Sequence, residues 1–409
     1  MKFVVENLTK CAPRVGALQE IRNYPNYVLE TPLPMLYTRG GGLPHITHEV
    51  FKIICKGPQI IQVPLVSTYQ YQEVMEEFHG SIAEFVGLKD CLTCVTVQDP
   101  GDLTHSGHHQ REMIPLWTRQ GKVLLSAQQY MNIVESFKPD MYYFLSDGDT
   151  NAKSANKRIA KSVENTKDFF KQCLERHKRS TTLVNSFPMG AIAGGYSKDA
   201  RKECIELMAN NEILKGFLID GLHNNGPEVE FIPFDEPKTI VEYVIDNLPA
   251  DKLRVVQGCW NPLVIIKLVQ LGVDVFDTSY CNLVTERSSA LVFSTDLHCD
   301  DNHPYEINLR QRQYVDDFKP IIEGCECLAC QKHTKAYIYH LVTVQELLGP
   351  LLLTIHNNHH FMKYFEKIRN AIKDGTIAEL ERVVEKQFRQ NQPNLAQHTK
   401  DELQTESSN

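Results

Sequence analysis

No window of this sequence approaches the ~18 consecutive apolar residues of a membrane span. The chain start offers only Phe3-Val4-Val5 before Glu6 interrupts it, too short an apolar run for a secretion signal. An excess of positive charge is missing as well. The formal net charge is −8, which argues against a protein that coats nucleic acid non-specifically, because phosphate binding needs a concentrated positive field. Any basic face has to be confined to one element. No internal repeat is visible. These absences describe an intracellular globular chain, and 42% apolar with 23% charged residues agrees. Asn7-Leu8-Thr9 matches a glycosylation sequon, an accidental match in a chain with no route to the secretory pathway.

Cysteine, by contrast, is plentiful, with twelve in 409 residues. In an intracellular chain these are reduced thiols, and a tight cluster among them reads as a metal site rather than a disulfide framework. Gly324-Cys325-Glu326-Cys327-Leu328-Ala329-Cys330 supplies such a cluster. Zinc in a structural role takes four soft or borderline ligands in a closed tetrahedron, and this turn presents three thiolates from one side. His356 follows after 25 intervening residues, in a helical stretch, and serves as the fourth ligand; His359 and His360 are rivals on spacing alone. Closed coordination leaves no position for water, so the expectation is one structural Zn²⁺ per chain.

Other motifs carry less. Cys91-Leu92-Thr93-Cys94 has C-x-x-C spacing but no second pair, and reads as two packed small residues, with a redox pair as the alternative. His105-Ser106-Gly107-His108-His109 lies in a stretch rich in Gly, Pro and Asp and reads as a solvated loop. Arg39-Gly40-Gly41-Gly42 lacks a following G-K-[ST] and reads as a turn. Gly194-Gly195 sits between a strand and a helix, where amides can face a ligand or simply turn the chain.

Strand-like runs alternate with helical periodicity through most of the chain. Strands are expected over 35–37, 93–97, 141–145, 182–185, 216–219, 253–256 and 273–276, and helices over 70–86, 127–137, 154–176, 198–209, 237–248 and 262–271. About eight such units favour an α/β fold closed into a (β/α)₈ (TIM) barrel over an open parallel sheet. The barrel is expected over 1–315, a zinc-binding subdomain with closing helices over 316–390, and a polar, disordered tail over 391–409.

The C-x-C-x-x-C followed by a distant His resembles the zinc motif of the tRNA-guanine transglycosylases. Leu271-Gly272-Val273-Asp274-Val275-Phe276-Asp277 resembles that family's L-G-x-D-x-F-D strand, Gly194-Gly195 the end of its V-Q-G-G loop, and Gly216 to Leu222 its G-F-x-I-x-G-L strand. Together these span about 30–375. The resemblance implies the barrel with an inserted zinc subdomain, and a chemistry in which an aspartate attacks the ribose anomeric carbon of a tRNA nucleotide. Guanine leaves, and a deazaguanine base, queuine in eukaryotes, replaces it.

The pocket residues depart from that pattern. Asp277 stands at the nucleophile position, but the D-S-G-G-F-Q loop is absent, and the stretch from Thr96 to Asp102 offers Asp99 and Asp102 without a firm match. The base-reading aspartate falls on Ser146, unless a one-residue slip brings in Asp147. Ala193 replaces the glutamine, Asp220-Gly221-Leu222-His223 replaces G-G-L, and Tyr280-Cys281-Asn282-Leu283 stands where P-T-R is expected. A recognition site that loses several polar contacts together forfeits its discrimination. The chain is therefore expected to be a non-catalytic member, with no catalytic residue of its own and Asp277 vestigial or holding its strand end. The alternatives are a transglycosylase that uses Asp277 as its nucleophile and a zinc-bearing barrel hydrolase, which would require an open metal position. The resemblance implies a heterodimer with a catalytic, queuine-inserting subunit, self-association in its absence, and a shared grip on tRNA. Lys332, His333 and Lys335, with Lys363, Lys367, Arg369 and Lys373, concentrate positive charge that would position phosphates; a solvated helix face is the plain alternative. Members of the family occur in the cytosol and on the outer mitochondrial surface, and no residue here separates the two.

Overall fold

The structure, a computed structural model, describes all residues except 7, 22–23, 56, 111, 298–302 and 391–409. The expected tail and Asn7 of the sequon thus lie outside the described residues. The chain forms two compact units, Met1–Leu283 and Val284–Asn409.

The first unit is built on eight strands: β1 Leu33–Met35, β2 Ile60–Pro64, β3 Leu92–Thr96, β4 Met141–Tyr143, β5 Phe187–Ile192, β6 Gly216–Ile219, β7 Leu253–Val255 and β8 Val275–Asp277. They pair in parallel in the order β1-β8-β7-β6-β5-β4-β3-β2. The ring closes at Leu36, whose N–H donates to the Ile60 carbonyl at 2.8 Å and whose carbonyl accepts from Gln62 N–H at 2.8 Å. The expected TIM barrel is therefore present. Helices α1 His48–Ile54, α2 Gln72–Phe78, α3 Ala127–Phe137, α4 Asn156–Arg179, α5 Lys198–Met208, α6 Asp235–Asn247, α7 Pro262–Gln270 and α8 Ser279–Glu286 follow the successive strands.

Strand side chains alternate between faces with a period of two. Leu33 and Met35, Leu92 and Cys94, Met141 and Tyr143, Phe187 and Met189, Leu253 and Val255, and Val275 accordingly share one core cluster. A side chain such as Leu253 contributes about 1.5–3 kcal/mol by burial there. An antiparallel sheet of Lys2–Val5, Gly16–Gln19 and Leu29–Thr31 adds Phe3 and Leu18 to that cluster, beside the first residues of the barrel strands. It closes the N-terminal end and leaves the C-terminal mouth for function. Asp274, just before β8, is locked by Arg14, with Nε–Oδ1 at 2.8 Å and Nη2–Oδ2 at 2.6 Å, both groups buried.

Two expectations need correcting, and one strand was not expected. The strand expected at 182–185 is loop, and β5 runs through Phe187-Pro188-Met189-Gly190-Ala191-Ile192 instead. Pro188 and Gly190 read as breakers, yet a Cβ at Gly190 would stand 2.9 Å from a Leu214 methyl group and 3.2 Å from the Phe217 ring, so the glycine lets the α5–β6 connection pack closely. β2 at Ile60–Pro64 was missed, because a strand buried along its whole length shows no alternation. The helix expected over 70–86 is broken at His79, whose φ of +60° ends α2.

The second unit carries an antiparallel pair, β9 Ser289–Leu291 and β10 Glu306–Asn308, then α9 Leu328–Lys332, α10 Lys335–Thr343 and α11 Leu348–Asp374. Gly375, at φ +74°, ends α11, and residues 377–390 form a further helix. No helix among the described residues is long and apolar enough to cross a membrane.

Candidate metal centre and barrel mouth

The residues of 324–330 fold into a cap. Gly324 takes a φ of +77°, and Cys327 stands at the N-cap of α9, its sulfur accepting from Cys330 N–H at 3.3 Å. The three thiols are thereby aimed at one point. His356, fully buried in the middle of α11, meets them there, and the four ligand atoms of Cys325, Cys327, Cys330 and His356 lie within 4.8 Å of one another. His356 Nδ1 is 3.6 Å from Cys327 Sγ and 3.3 Å from Cys330 Sγ. A tetrahedral zinc with Zn–S and Zn–N arms of ~2.3 and ~2.05 Å has an S···N edge of about 3.6 Å. The donor set and the spacing both fit that ion. Hydrogen bonds from Cys327 and Cys330 lower the pKa of the Cys325 thiol, and the same contacts raise that of Cys327.

His356 is oriented from behind. Its Nε2 lies 2.8 Å from the Leu291 carbonyl of β9, which leaves Nδ1 for the thiols. The neighbouring Asn357 clamps the same strand, accepting from Leu291 N–H at 2.9 Å and donating to the Ser289 carbonyl and the Thr285 hydroxyl, both at 3.0 Å. The rival His360 packs edge-on against Phe293 at 4.6 Å, and burial lowers its pKa to about 3. The adjacency of Asn to His in the sequence was the available sign of this support, and it was not read.

At the barrel mouth, Asp277 is in phase with Val275 and so faces the barrel axis. It is 2% exposed. Both carboxylate oxygens are taken: Oδ2 accepts from Gly258 N–H at 2.8 Å, and Oδ1 accepts from Ser279 N–H at 2.9 Å and from the Ser279 hydroxyl. Removal from water raises its pKa to about 6 in spite of these bonds, and the charge of Asp99 adds to the rise.

A cavity of about 70 Å³ opens in the mouth, lined among others by Gln98, His109, Ser146, Asp220, His223 and Gln257; Asp277 is not part of its wall. Ordinary small-molecule pockets run to ~300–1,000 Å³. Ser146 lines the cavity and donates to Asp220 Oδ2 at 2.7 Å. Asp147 is fully buried elsewhere, held by Asn165 Nδ2 at 2.7 Å and by Arg158. The Asp220 carboxylate also accepts from the Gly221 amide at 2.7 Å and packs on Gly148, where a Cβ would come 2.5 Å from its oxygens. Asp99 accepts from the Tyr37 hydroxyl at 2.7 Å, and Asp102 accepts from Arg39 at 2.7 Å.

The glycine pairs are turns. Arg201, fully buried, inserts under Gly194-Gly195 and donates to the Gly195 carbonyl at 2.8 Å. Arg39 and Gly42 close their own turn with N–H···O contacts of 3.0 and 3.2 Å. Burial pushes the Cys91 and Cys94 thiols up to about 11 and 12, the condition of packed rather than redox-active cysteines.

Residues 105–108 are an exposed loop, as expected, and His109 alone departs from it. His105 and His108 set their rings edge-on to Trp117 at 5.1 and 4.9 Å. The His109 side chain is buried, with Nδ1 3.1 Å from Asp149 Oδ2 and Nε2 3.3 Å from Asp147 Oδ1. Burial alone would raise the pKa of Asp149, but contacts from His109, the Gly107 amide and Ser106 hold it well below the usual carboxylate range. Sequence reading missed this network, although Asp147-Gly148-Asp149, shortly beyond the end of β4, was its signal.

The lysines marked for phosphate contact have different surroundings. Lys335 is bound to Asp317 at 2.6 Å and lies over the Tyr314 ring at 5.8 Å. Lys363 pairs with Glu366 at 3.0 Å on the same helix. Lys332 and Lys367 are exposed, and Arg369 is half-buried.

Comparison with known proteins agrees with the motifs. A family profile described as queuine tRNA-ribosyltransferase matches residues 10–390. The chain is similar to proteins named queuine tRNA-ribosyltransferase accessory subunit 2. It is 36% identical to that of Anopheles gambiae over 93% of this chain and 89% of the relative. Against the Drosophila grimshawi protein the identity is 38%, over 91% and 89%, and against that of Aedes aegypti 34%, over 95% and 93%. The barrel, the Cys₃His cluster and these matches along nearly the whole chain agree: this chain belongs to the tRNA-guanine transglycosylase (queuine tRNA-ribosyltransferase) family.

Proposed function

We propose that this chain is a non-catalytic subunit that pairs with a catalytic member of its family and supports tRNA binding while guanine is exchanged for queuine at the wobble position. One observation carries the reading: the metal cluster is complete, while the Asp277 carboxylate has both oxygens in hydrogen bonds and stands outside the wall of the mouth cavity. An attacking carboxylate needs a free oxygen within reach of the anomeric carbon. The cavity is also small, and Asp220, bonded to Ser146, takes up part of the mouth.

Cys325, Cys327, Cys330 and His356 would hold one Zn²⁺ that fixes the cap to α11 and takes no part in base exchange. Lys332, Lys335, Lys363, Lys367 and Arg369 are the phosphate-contact candidates on this unit; Lys332, Lys363 and Lys367 are exposed, Lys363 while paired with Glu366. The cytosol and the outer mitochondrial surface are the compartments that go with this reading.

A second reading has its own support. Asp277 faces the barrel axis at a strand end and is ionised above about pH 6, as a nucleophile would be. Labelled-queuine incorporation into tRNA by this chain alone, by a catalytic relative alone and by the pair separates the two. The first reading expects label only with the pair and no change with Asp277→Ala. Incorporation by this chain alone, abolished by Asp277→Ala, would establish the second.

A further inference from the structure

The helix α4 and the turn before it run against the charge of the chain. Between 151 and 182 there are nine Lys or Arg residues and three Asp or Glu residues, in a protein with 43 basic and 51 acidic side chains. Pairing removes most of that surplus. Arg158 turns inward onto Asp147, Lys167 meets Glu203 at 2.9 Å, Lys171 meets Asp168 at 3.6 Å, and Arg176 and Arg179 are held by Glu135 and Glu175. Among the described residues, Lys153, Lys157, Lys161 and Lys178 form no ion pair, and three of these four stand together where α4 begins.

That end of α4 belongs to the barrel mouth, because the segment leading into it continues from the C-terminal end of β4 through the cavity-lining Ser146, Gly148 and Asp149. Lys157 and Lys161, four residues apart, lie on one face of the helix, about 6 Å apart along its axis. Lys153 precedes them by one further step of four. Lys153 and Lys157 are exposed. Lys161 donates to the His109 carbonyl at 3.0 Å, which fixes its position and neutralises nothing, since an ammonium group has two further protons to offer. Ammonium groups held at such intervals along a ridge match a run of backbone phosphates and carry no base specificity. Exposed lysines without acidic partners are wasted on stability but serve as counter-charges that displace bound cations from a nucleic acid.

We infer that Lys153, Lys157 and Lys161 form a phosphate-binding ridge that holds the RNA backbone beside the barrel mouth. The inference rests on the proposed role of the chain in tRNA binding and gives that role a place on the first unit, apart from the lysines near the metal cluster.

The test uses the full-length chain assembled with a catalytic family member, and unmodified tRNA carrying guanine at the wobble position as the probe. Binding is measured over a range of salt concentrations for the catalytic member alone, for the pair, and for the pair carrying Lys153→Gln, Lys157→Gln and Lys161→Gln together. These side chains are on the surface, so folding is expected to be retained, and the melting temperature checks it. The ridge predicts that the triple variant weakens tRNA binding about 10- to 100-fold at low salt. The slope of log affinity against log salt should fall by about 2–3, at ~0.7–0.9 per lost contact. A triple variant that matches the wild-type pair in affinity and slope overturns the ridge while leaving the proposed function intact. A wild-type chain that adds nothing to the tRNA affinity of the catalytic member overturns the function itself, and the ridge with it.

Discussion

His356 Nε2 lies 2.8 Å from the carbonyl oxygen of Leu291, so the ring presents Nδ1, and only Nδ1, to Cys325, Cys327 and Cys330. The strand β9 therefore sets the ring angle of a helix residue that completes a cluster begun in another segment. Ligand supply and ligand aim come from different places in the chain.

That division predicts two classes of effect at the cluster. Cys330→Ser removes a ligand, and zinc content measured by mass spectrometry should fall from about one per chain toward zero. Structural zinc is worth ~10–16 kcal/mol in isolated zinc modules, so thermal unfolding of the variant should begin well below that of the wild type. Asn357→Ala leaves all four ligands but frees β9. It should retain zinc with about 10- to 100-fold lower affinity in a chelator competition. Equal zinc content and equal melting in Cys330→Ser would remove the metal from the account.

Asp277 should leave a signature in stability against pH. Its pKa rises from 3.8 in the unfolded chain to about 6 in the fold. The folded state thus binds the proton more tightly, and the resulting stabilisation is complete below pH 3.8 and lost as pH rises through 6. A shift of about two units corresponds to roughly 3 kcal/mol. Urea unfolding between pH 4 and 7 should show this loss in the wild type and a flatter profile in Asp277→Asn. Parallel profiles for the two proteins would mean that the carboxylate is not desolvated as described.

Arg14 and Asp274 are a buried, bidentate pair at 2.6–2.8 Å. Removing one partner leaves an uncompensated charge in the interior, at a cost of about 3–5 kcal/mol. Arg14→Ala should lower the urea midpoint accordingly. The double variant Arg14→Met with Asp274→Leu should recover part of the loss, because the carboxylate left without Arg14 is removed, and only part, because the buried Arg254 then loses its nearby counter-charge. A single variant within about 1 kcal/mol of wild type, ~5-fold or less in the unfolding constant, would show that water reaches the site.

Lys332 and Lys335 are close in sequence and should behave differently. Lys335→Met breaks a partly buried pair with Asp317 and should cost up to ~1 kcal/mol of stability with little change in tRNA binding. Lys332→Gln should leave stability unchanged. If Lys332 contacts a phosphate, the salt slope of tRNA binding by the pair falls by about 1; an unchanged slope assigns it to a solvated surface.

Much of this was legible in the chain itself. Helices such as α3 and α7 carry their own signals. Ser126 with Gln129 forms a capping box, and Asn261 followed by Pro262 opens the second helix. The strand β5 was not legible because Pro188 and Gly190 are tolerated only through their neighbours in the sheet. His109 looked solvated because nothing local announces that Asp147 and Asp149, some forty residues away, enclose it.

The sequence by itself determined the chemistry on offer: three thiols on one tight turn, an aspartate in phase at the end of the last barrel strand, and a surplus of lysine on one helix. Those are local facts, fixed by residue type and by periods of 2 and 3.6. Tertiary structure alone decided how each is used. His356 and His360 lie four apart on one helix face, so spacing could not separate them, and the Leu291 carbonyl did. Whether a carboxylate is free or a lysine is paired depends on partners brought in from distant segments: Gly258 and Ser279 for Asp277, Glu203 for Lys167, Asp317 for Lys335. Hydrogen bonds and ion pairs act over ~3–4 Å, and only the folded chain brings such groups that close.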